Sequence, residues 1–312
     1  MNIGFDIMGG DFAPTECIKG LHQYLQHAPE STVWCIGKKE EAEPLLHQYQ
    51  ISNTVQFVHA DEVIGYNEHP TKALKEKQKS SIAIGFHLLA TGKIDAFISA
   101  GNTGAMLVGA MFSIKPIEGV LRPTIATIIP KTNGSTGLLL DVGLNADCKP
   151  EHLNQFAILG NLYAQTILDI QQPKTGLLNV GEEEGKGNVL TQAAYSILKE
   201  NTQIHFIGNI EGRDFFNDKA DVMVCDGFTG NVVLKMAESF YEIAKERNFN
   251  NDAYMSRFQY DNYGGTPVLG VAKPVIIGHG ISNAKAFENM LTLAERMIKT
   301  DVCGKIKNSF TA

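Results

Sequence analysis

The sequence predicts an α/β fold with a largely parallel sheet. Short apolar runs alternate with longer segments of helical period through most of the 312 residues. Several of the short runs are continuously apolar, as strands covered on both faces are. Glycine-rich turns join strand to helix, the punctuation of βα units. In order, strands are expected at 3–7, 33–36, 55–58, 96–99, 124–129, 138–142, 177–180, 205–207, 222–225 and 275–277. Helices are expected between many of them, among them 151–168, 189–200, 231–246 and 283–299. In the last, Ala284, Phe287, Met290, Leu291, Ala294, Met297 and Ile298 recur at helical spacing. Such a stripe is a core face. Right-handed crossovers carry the strand C-termini to one edge, where open sheets bind ligands.

Composition narrows the function classes. Hydrophobic residues make up 44% and charged residues 20% of the chain, a globular balance. The length suggests two domains or one large unit with two lobes; the reading taken is one catalytic unit over 1–312, with the polar stretch at about 245–261 protruding. A formal charge of −7 argues against general nucleic-acid binding. The longest apolar run, 105–114, is broken by Gly109 and too short to span a membrane. The chain opens directly into a strand pattern with no signal-peptide character, so a cytoplasmic protein is expected. Five widely spaced cysteines without a C-x-x-C pair read as reduced thiols rather than a zinc site or disulfide frame.

Five turns share one design: 6–11 (DIMGGD), 99–104 (SAGNTG), 179–188 (NVGEEEGKGN), 226–231 (DGFTGN) and 278–283 (GHGISN). Each leaves an apolar strand, passes through Gly with Asn, Asp, Ser or Thr, and enters a helix. Glycine admits close approach, and a helix start offers unpaired N–H groups and a positive dipole end. Several such turns at one edge make a floor for an anion such as phosphate, although one alone is common in any α/β protein. No G-x-x-x-x-G-K-[ST], strand-linked G-x-G-x-x-G, H-E-x-x-H or G-x-S-x-G pattern is present. A P-loop, a dinucleotide fingerprint, a zincin site and a serine elbow are therefore unsupported.

Individual residues keep two readings. Lys186, between two glycines, can reach an anion, or it can be a solvated lysine offsetting Glu182, Glu183 and Glu184. Asn231 is either a site amide or a helix N-cap. His279 can donate a proton or bind an anion, or it is a structural histidine. Cys225 reads as buried rather than nucleophilic. Lys72, Lys75, Lys77 and Lys79 with one Glu76 form the basic island of an acidic chain. If a helix runs through them, Lys72, Lys75 and Lys79 share a face, either merely solvated or a dock for an acidic partner.

With these residues assembled, the sequence resembles the bacterial acyl-acyl-carrier-protein:phosphate acyltransferases, the PlsX family. The matching blocks are 6–14 (DIMGGDFAP), 59–63 (HADEV), 98–105 (ISAGNTGA), 140–147 (LDVGLNAD) with 149–153 (KPEHL), 176–181 (GLLNVG), 186–188 (KGN), 206–209 (FIGN), 226–231 and 262–265 (NYGG). They run in one order nearly from end to end. The resemblance implies a three-layer α/β/α fold similar to isocitrate and isopropylmalate dehydrogenases and to phosphate acetyltransferases. It implies a homodimer without a cofactor or metal, and attack of inorganic phosphate on the thioester of a long-chain acyl-acyl carrier protein. The acyl phosphate would feed a membrane glycerol-3-phosphate acyltransferase in phospholipid synthesis. By matching motif, Lys186 and Asn231 are the first choices as catalytic residues. Asn102, Thr103, Asp226, Thr229 and His279 are candidates for holding phosphate or thioester. Acidic carriers favour docking at Lys72, Lys75 and Lys79.

The sequence departs from the family where only 245–261 separates the helix near Asn231 from the NYGG block. The longer insertion there is associated with dimer-tip helices and peripheral membrane contact, so its shortening weakens the expectation of membrane attachment. Alternatives are a short-chain acyl-CoA:phosphate transferase, a non-catalytic carrier-binding scaffold and, weakest, a nicotinamide dehydrogenase.

Overall fold

The computed structural model describes residues 1–249 and 252–311. Its backbone divides into two compact units. One comprises Met1–Ile117 and Tyr260–Cys303; the other runs from Glu118 to Gln259 and includes the chain from Gly304 onward.

In the first unit the strands are β1 (Asn2–Asp6), β2 (Thr32–Gly37), β3 (Gln56–His59), β4 (Ala96–Ser99), β10 (Thr266–Leu269) and β11 (Val275–Ile277). They lie in the order β3-β2-β1-β4-β11-β10, all pairs parallel except β10 with β11. The helices are α1 (Thr15–Gln26), α2 (Lys39–Gln48), α3 (Pro70–Glu76), α4 (Ser81–Ala90), α5 (Thr103–Gly109) and α9 (Ala284–Lys299). Along β1, Phe5 turns its ring to Phe287 of α9, with centroids 5.5 Å apart. Gly4 lies over Phe97, whose ring meets Phe86 of α4 edge-on at 5.1 Å. Successive strand residues point to opposite faces, so α9 and α4 cover the two sides of the sheet. That is the expected three-layer arrangement.

The second unit holds β5 (Thr124–Pro130), β6 (Thr136–Leu140), β7 (Lys174–Leu178), β8 (His205–Ile210) and β9 (Val222–Val224) in the order β5-β6-β9-β7-β8. Only β5 and β6 are antiparallel; β6, β9, β7 and β8 run parallel. Its helices are α6 (Pro150–Ile167), α7 (Val189–Glu200), α8 (Gly227–Glu246) and most of α10 (Val302–Thr311). Leu140, Val224 and Leu177 are in register across β6, β9 and β7. The turns leaving these three strands therefore emerge side by side.

The ten expected strands are present, with ends shifted by up to three residues, and α7 matches its expected bounds. β10 is an addition: four residues containing Pro267, too short for a periodic signal. Helix α8 begins at Gly227, four residues before the expected start. Of the stretch at 245–261, positions 250 and 251 lie outside the described residues. Beyond them, Tyr254 donates its hydroxyl to Pro130 O at 3.1 Å, and Arg257 donates to Lys131 O at 2.9 Å and Ser135 O at 2.6 Å. Phe258 meets Phe216 edge-on. The 254–258 part is thus held on β5 and its following turn rather than standing free. Among the described residues no helix is long and apolar enough to cross a membrane.

Candidate active site

The loop after β7 is built by amide side chains. Asn179 donates to Lys186 O and to Asn209 Oδ1, both at 3.1 Å. Asn209 donates onward to Glu183 O at 2.9 Å, and Gln192 of α7 to Gly185 O at 2.9 Å and Gly187 O at 3.1 Å. Gly187 has φ +97°, and a Cβ there would come within 2.3 Å of Asn179 Oδ1 and 2.0 Å of Thr191 Oγ1. Only glycine fits at that point. The loop is therefore fixed by the amides of buried Asn209, half-buried Asn179 and exposed Gln192, while Lys186 is left exposed on it.

Two of the three glutamates beside Lys186 have other partners. Glu182 accepts from Lys219 at 2.8 Å and pairs with Arg213 at 3.4 Å; Glu184 accepts from Lys199 at 2.9 Å. The Lys219 hydrogen bond holds the Glu182 carboxyl below the usual glutamate range. Lys219 also meets Asp214 at 2.8 Å, so the cluster of Glu182, Glu211 and Asp214 is already served by Lys219 and Arg213. Among the described residues Lys186 Nζ has no ion pair or hydrogen bond. Lys186 is thus solvated and makes no contact ion pair with Glu182 or Glu184, whose carboxylates are taken by Lys219, Arg213 and Lys199.

On the neighbouring strand, Asp226 is the N-cap of α8: it accepts from Thr229 N at 2.9 Å and from the Thr229 hydroxyl at 2.8 Å. Asn231 stands one turn inside the helix and is not the cap. This corrects the alternative left open for it, because helix geometry is already established at Gly227. Asn231 is exposed, with its amide donating to Val142 O at 3.2 Å. Gly143, at φ +131°, allows this approach; a Cβ there would lie 3.0 Å from the Asn231 amide nitrogen. The loop after β6 is itself organised by buried Asp141, which accepts from Ile125 N, Leu144 N, Asn145 N and the Asn145 amide at 2.6–3.3 Å. Lys186, Asp226, Thr229 and Asn231 thus come from adjacent strands of the second unit, on one edge.

In the first unit the turns after β1, β4 and β11 adjoin one another. Asp11 N donates to Gly280 O at 2.7 Å, and a Cβ on Gly9 would strike Gly101 N at 2.5 Å. Buried Asp6 accepts the Ser99 hydroxyl at 2.7 Å, and Ser99 Oγ accepts from Gly101 N at 2.9 Å. Burial pushes the Asp6 carboxyl above the usual range. Asn102 is buried and committed: it accepts from Ala105 N at 2.9 Å and donates to Gly65 O at 2.8 Å and Glu68 O at 3.2 Å. Its amide ties this turn to the 65–68 segment. Thr103 opens α5, exposed, and His279 lies exposed after β11.

The cap is a shared device. Asn102, Asn188, Asp226 and Asn283 each accept from the N–H three residues on, at 2.9–3.0 Å. An Asn or Asp within four of the five turns therefore satisfies one of the orphan donors of a helix start. At α8, Gly227 N also goes to Asn145 O and Gly230 N to Asp226 O. The expected floor of open N–H groups is narrower than the motif suggests, and charge on this edge falls to Lys186.

Two further expectations meet the structure. Cys225 is buried and donates to Asp141 O, and burial pushes its thiol well up, against a nucleophilic role. The basic island is not one helical face: α3 ends at Glu76. Lys77 turns inward to Glu68 at 2.6 Å and Val63 O at 2.9 Å, while Ser80 caps α4. Lys79, paired with Asp61 at 3.3 Å, lies off the helix that carries Lys72 and Lys75.

A sequence model of the family described as "Fatty acid synthesis protein" matches residues 1–305. The chain belongs to this family. Relatives named phosphate acyltransferase include that of Dictyoglomus turgidum, 42% identical over 98% of this chain and 96% of its own length. That of Halothermothrix orenii is 42% identical over 98% of both. The acyltransferase is similar in fold to a phosphotransacetylase from Streptococcus pyogenes (TM-score 0.68, 18% identity, 96% of this chain and 94% of that one). A branched-chain phosphotransacylase from Enterococcus faecalis V583 gives a TM-score of 0.66 at 16% identity, covering 95% and 99%. Membership in an enzyme family sets aside the non-catalytic scaffold.

Proposed function

We propose that this acyltransferase moves a long-chain acyl group from the thioester of acyl carrier protein to inorganic phosphate, releasing acyl phosphate and the free carrier thiol. The observation that supports it most is the ammonium of Lys186, without a partner among the described residues, on a loop fixed by Asn179, Asn209 and Gln192. A phosphate oxygen attacks the thioester carbon; the C–S bond breaks as the tetrahedral oxyanion collapses, and the thiolate takes a proton. Phosphate is itself the nucleophile, so the chain's task is to hold a multiply charged anion and stabilise the oxyanion. Lys186 holds the phosphate by charge. Asn231, with one amide N–H on Val142 O, offers the other to substrate. Asp226 and Thr229 act as positioning residues through the α8 cap, and Asn102 through its tie to the 65–68 segment. Thr103 and His279 are exposed groups in this reading.

The deciding experiment is phosphate dependence with a defined acyl-acyl carrier protein. Acyl phosphate should form in step with free carrier only when orthophosphate is supplied, and the carrier-borne donor should exceed the same chain on CoA. Thioester loss that is indifferent to orthophosphate would remove this reading; preference for short acyl-CoA would favour the alternative transferase. We further propose that the chain works in the cytoplasm as one catalytic unit, supplying a membrane glycerol-3-phosphate acyltransferase.

We also propose a homodimer joined through α8. Phe228, Val232, Met236, Phe240 and Ile243 recur at spacings of three and four along this 20-residue helix, and each is at least 40% exposed. A stripe of that width is an uncovered core-like face. Met236→Asp should convert the dimer to monomer in sedimentation; an unchanged mass would move the interface elsewhere.

A further inference from the structure

In the first unit a cleft of about 280 Å³ opens between α3, α4 and the end of α5. Its lining joins buried Phe86 and half-buried Leu74 and Val108 to exposed Phe112, Gln78 and a single cation, Lys75. Phe86 is buried and braced edge-on by Phe97, so the floor is rigid. Gly109 lets α5 lie flush on it, since a Cβ there would meet the Phe86 ring at 2.1 Å. The chain then passes into a π-helical turn, Ala110–Ile114, that carries Phe112 72% exposed. Single π turns re-aim side chains and recur at functional sites.

Charge distinguishes the rim. Of the basic island, Lys72 faces Glu76 at 4.0 Å, Lys77 is paired with Glu68, and Lys79 with Asp61. Lys75 alone of the four has no ion pair among the described residues, and it is the one that lines the cleft. A volume just under the range of about 300–1,000 Å³ typical of small-molecule pockets suits one or two large apolar side chains.

We propose that this cleft receives an apolar anchor from an acidic amphipathic helix of the protein that carries the acyl donor. The proposal rests on the carrier-borne donor proposed above and gives that carrier a seat. An apolar residue enters between Leu74, Phe86 and Phe112, while neighbouring carboxylates meet Lys75, the helix-in-groove mode of recognition.

The test uses the full chain with Lys75→Glu and, separately, Phe112→Ala, both at exposed positions. Kinetics are compared for one acyl chain on acyl carrier protein and on CoA, with calorimetric titration of the carrier alongside. Each variant should raise KM for the carrier-borne donor and weaken carrier binding by about tenfold, leaving kcat and the CoA donor unchanged. At about 0.5 M salt the Lys75→Glu defect should shrink while that of Phe112→Ala persists. Wild-type carrier affinity in both variants would overturn the docking site, and equal losses on both donors would assign the cleft to the acyl chain instead. If the wild type makes no acyl phosphate from any donor, the proposed function fails. The titrations then decide the docking separately: weaker carrier binding by the variants supports it, and equal binding overturns it.

Discussion

Lys186→Ala is expected to lower acyl-phosphate formation by about 10²–10³-fold, the range for removing a positioned charge-stabilising group from a transition state. It should do so without unfolding the protein. Lys186 Nζ has no structural partner among the described residues, and the loop that presents it is held through backbone atoms by Asn179, Asn209 and Gln192. Replacement of such a surface side chain changes stability within about 0.5 kcal/mol. The defect should fall on phosphate: its KM rises, and excess orthophosphate restores part of the rate. Lys186→Arg keeps the charge but changes the donor geometry, so it should recover only part of the loss. Phosphate kinetics with a melting curve on the same sample check this. Turnover near wild type in Lys186→Ala would remove Lys186 from the mechanism.

Much of what surrounds that loop is legible in the sequence. Alternation of short apolar runs with helical segments located the strands, because burial on both faces of a parallel sheet leaves a continuous apolar signature. The Gly-rich turns marked the strand ends. What could not be read was how each polar side chain is used. Whether Lys186 serves Glu182 depends on Lys219 and Arg213, which lie 37 and 31 residues from Glu182 in sequence. The Asn and Asp of the turns look like ligands until their i to i+3 bonds are seen. Asp6, Ser99, Asn179 and Asn209 sat inside the matching blocks, yet nothing local separates a strut from a ligand.

The basic island teaches the same lesson. KALKEKQK is made of good helix formers, so periodicity carries the helix onward to Lys79. The structure stops it at Glu76 because Lys77 finds Glu68 and Val63 O, and Gln78 turns back to Leu74 O and Lys75 O. Tertiary partners overrode propensity. The face expected to hold three lysines holds two, and the apolar cleft beside Lys75 has no periodic signal at all.

Gly230→Ala should be the most damaging single methyl on this edge, at about 3 kcal/mol, toward the upper end of what overpacking costs. A Cβ on Gly230 would lie 1.9 Å from the carbonyl oxygen of Asp141 and 3.0 Å from Cys225 Sγ. Neither can retreat cheaply. Asp141 N donates to Cys225 O at 3.1 Å, Cys225 N to Leu140 O at 2.9 Å, and the Asp141 carboxylate is held by Ile125, Leu144 and Asn145. The helix must therefore move, taking Asn231 from Val142 O and loosening the seat at Gly143. Melting temperature and acyl-phosphate formation should fall together, the rate by about tenfold or more as donors drift from the productive geometry. Gly185→Ala supplies the contrast, since no atom lies within 4 Å of a Cβ there and its backbone is not in the left-handed region. That variant should melt and turn over like the parent although it lies beside Lys186. If Gly230→Ala matched it in both measurements, the close contact of α8 with the loop after β6 would not be what positions Asn231.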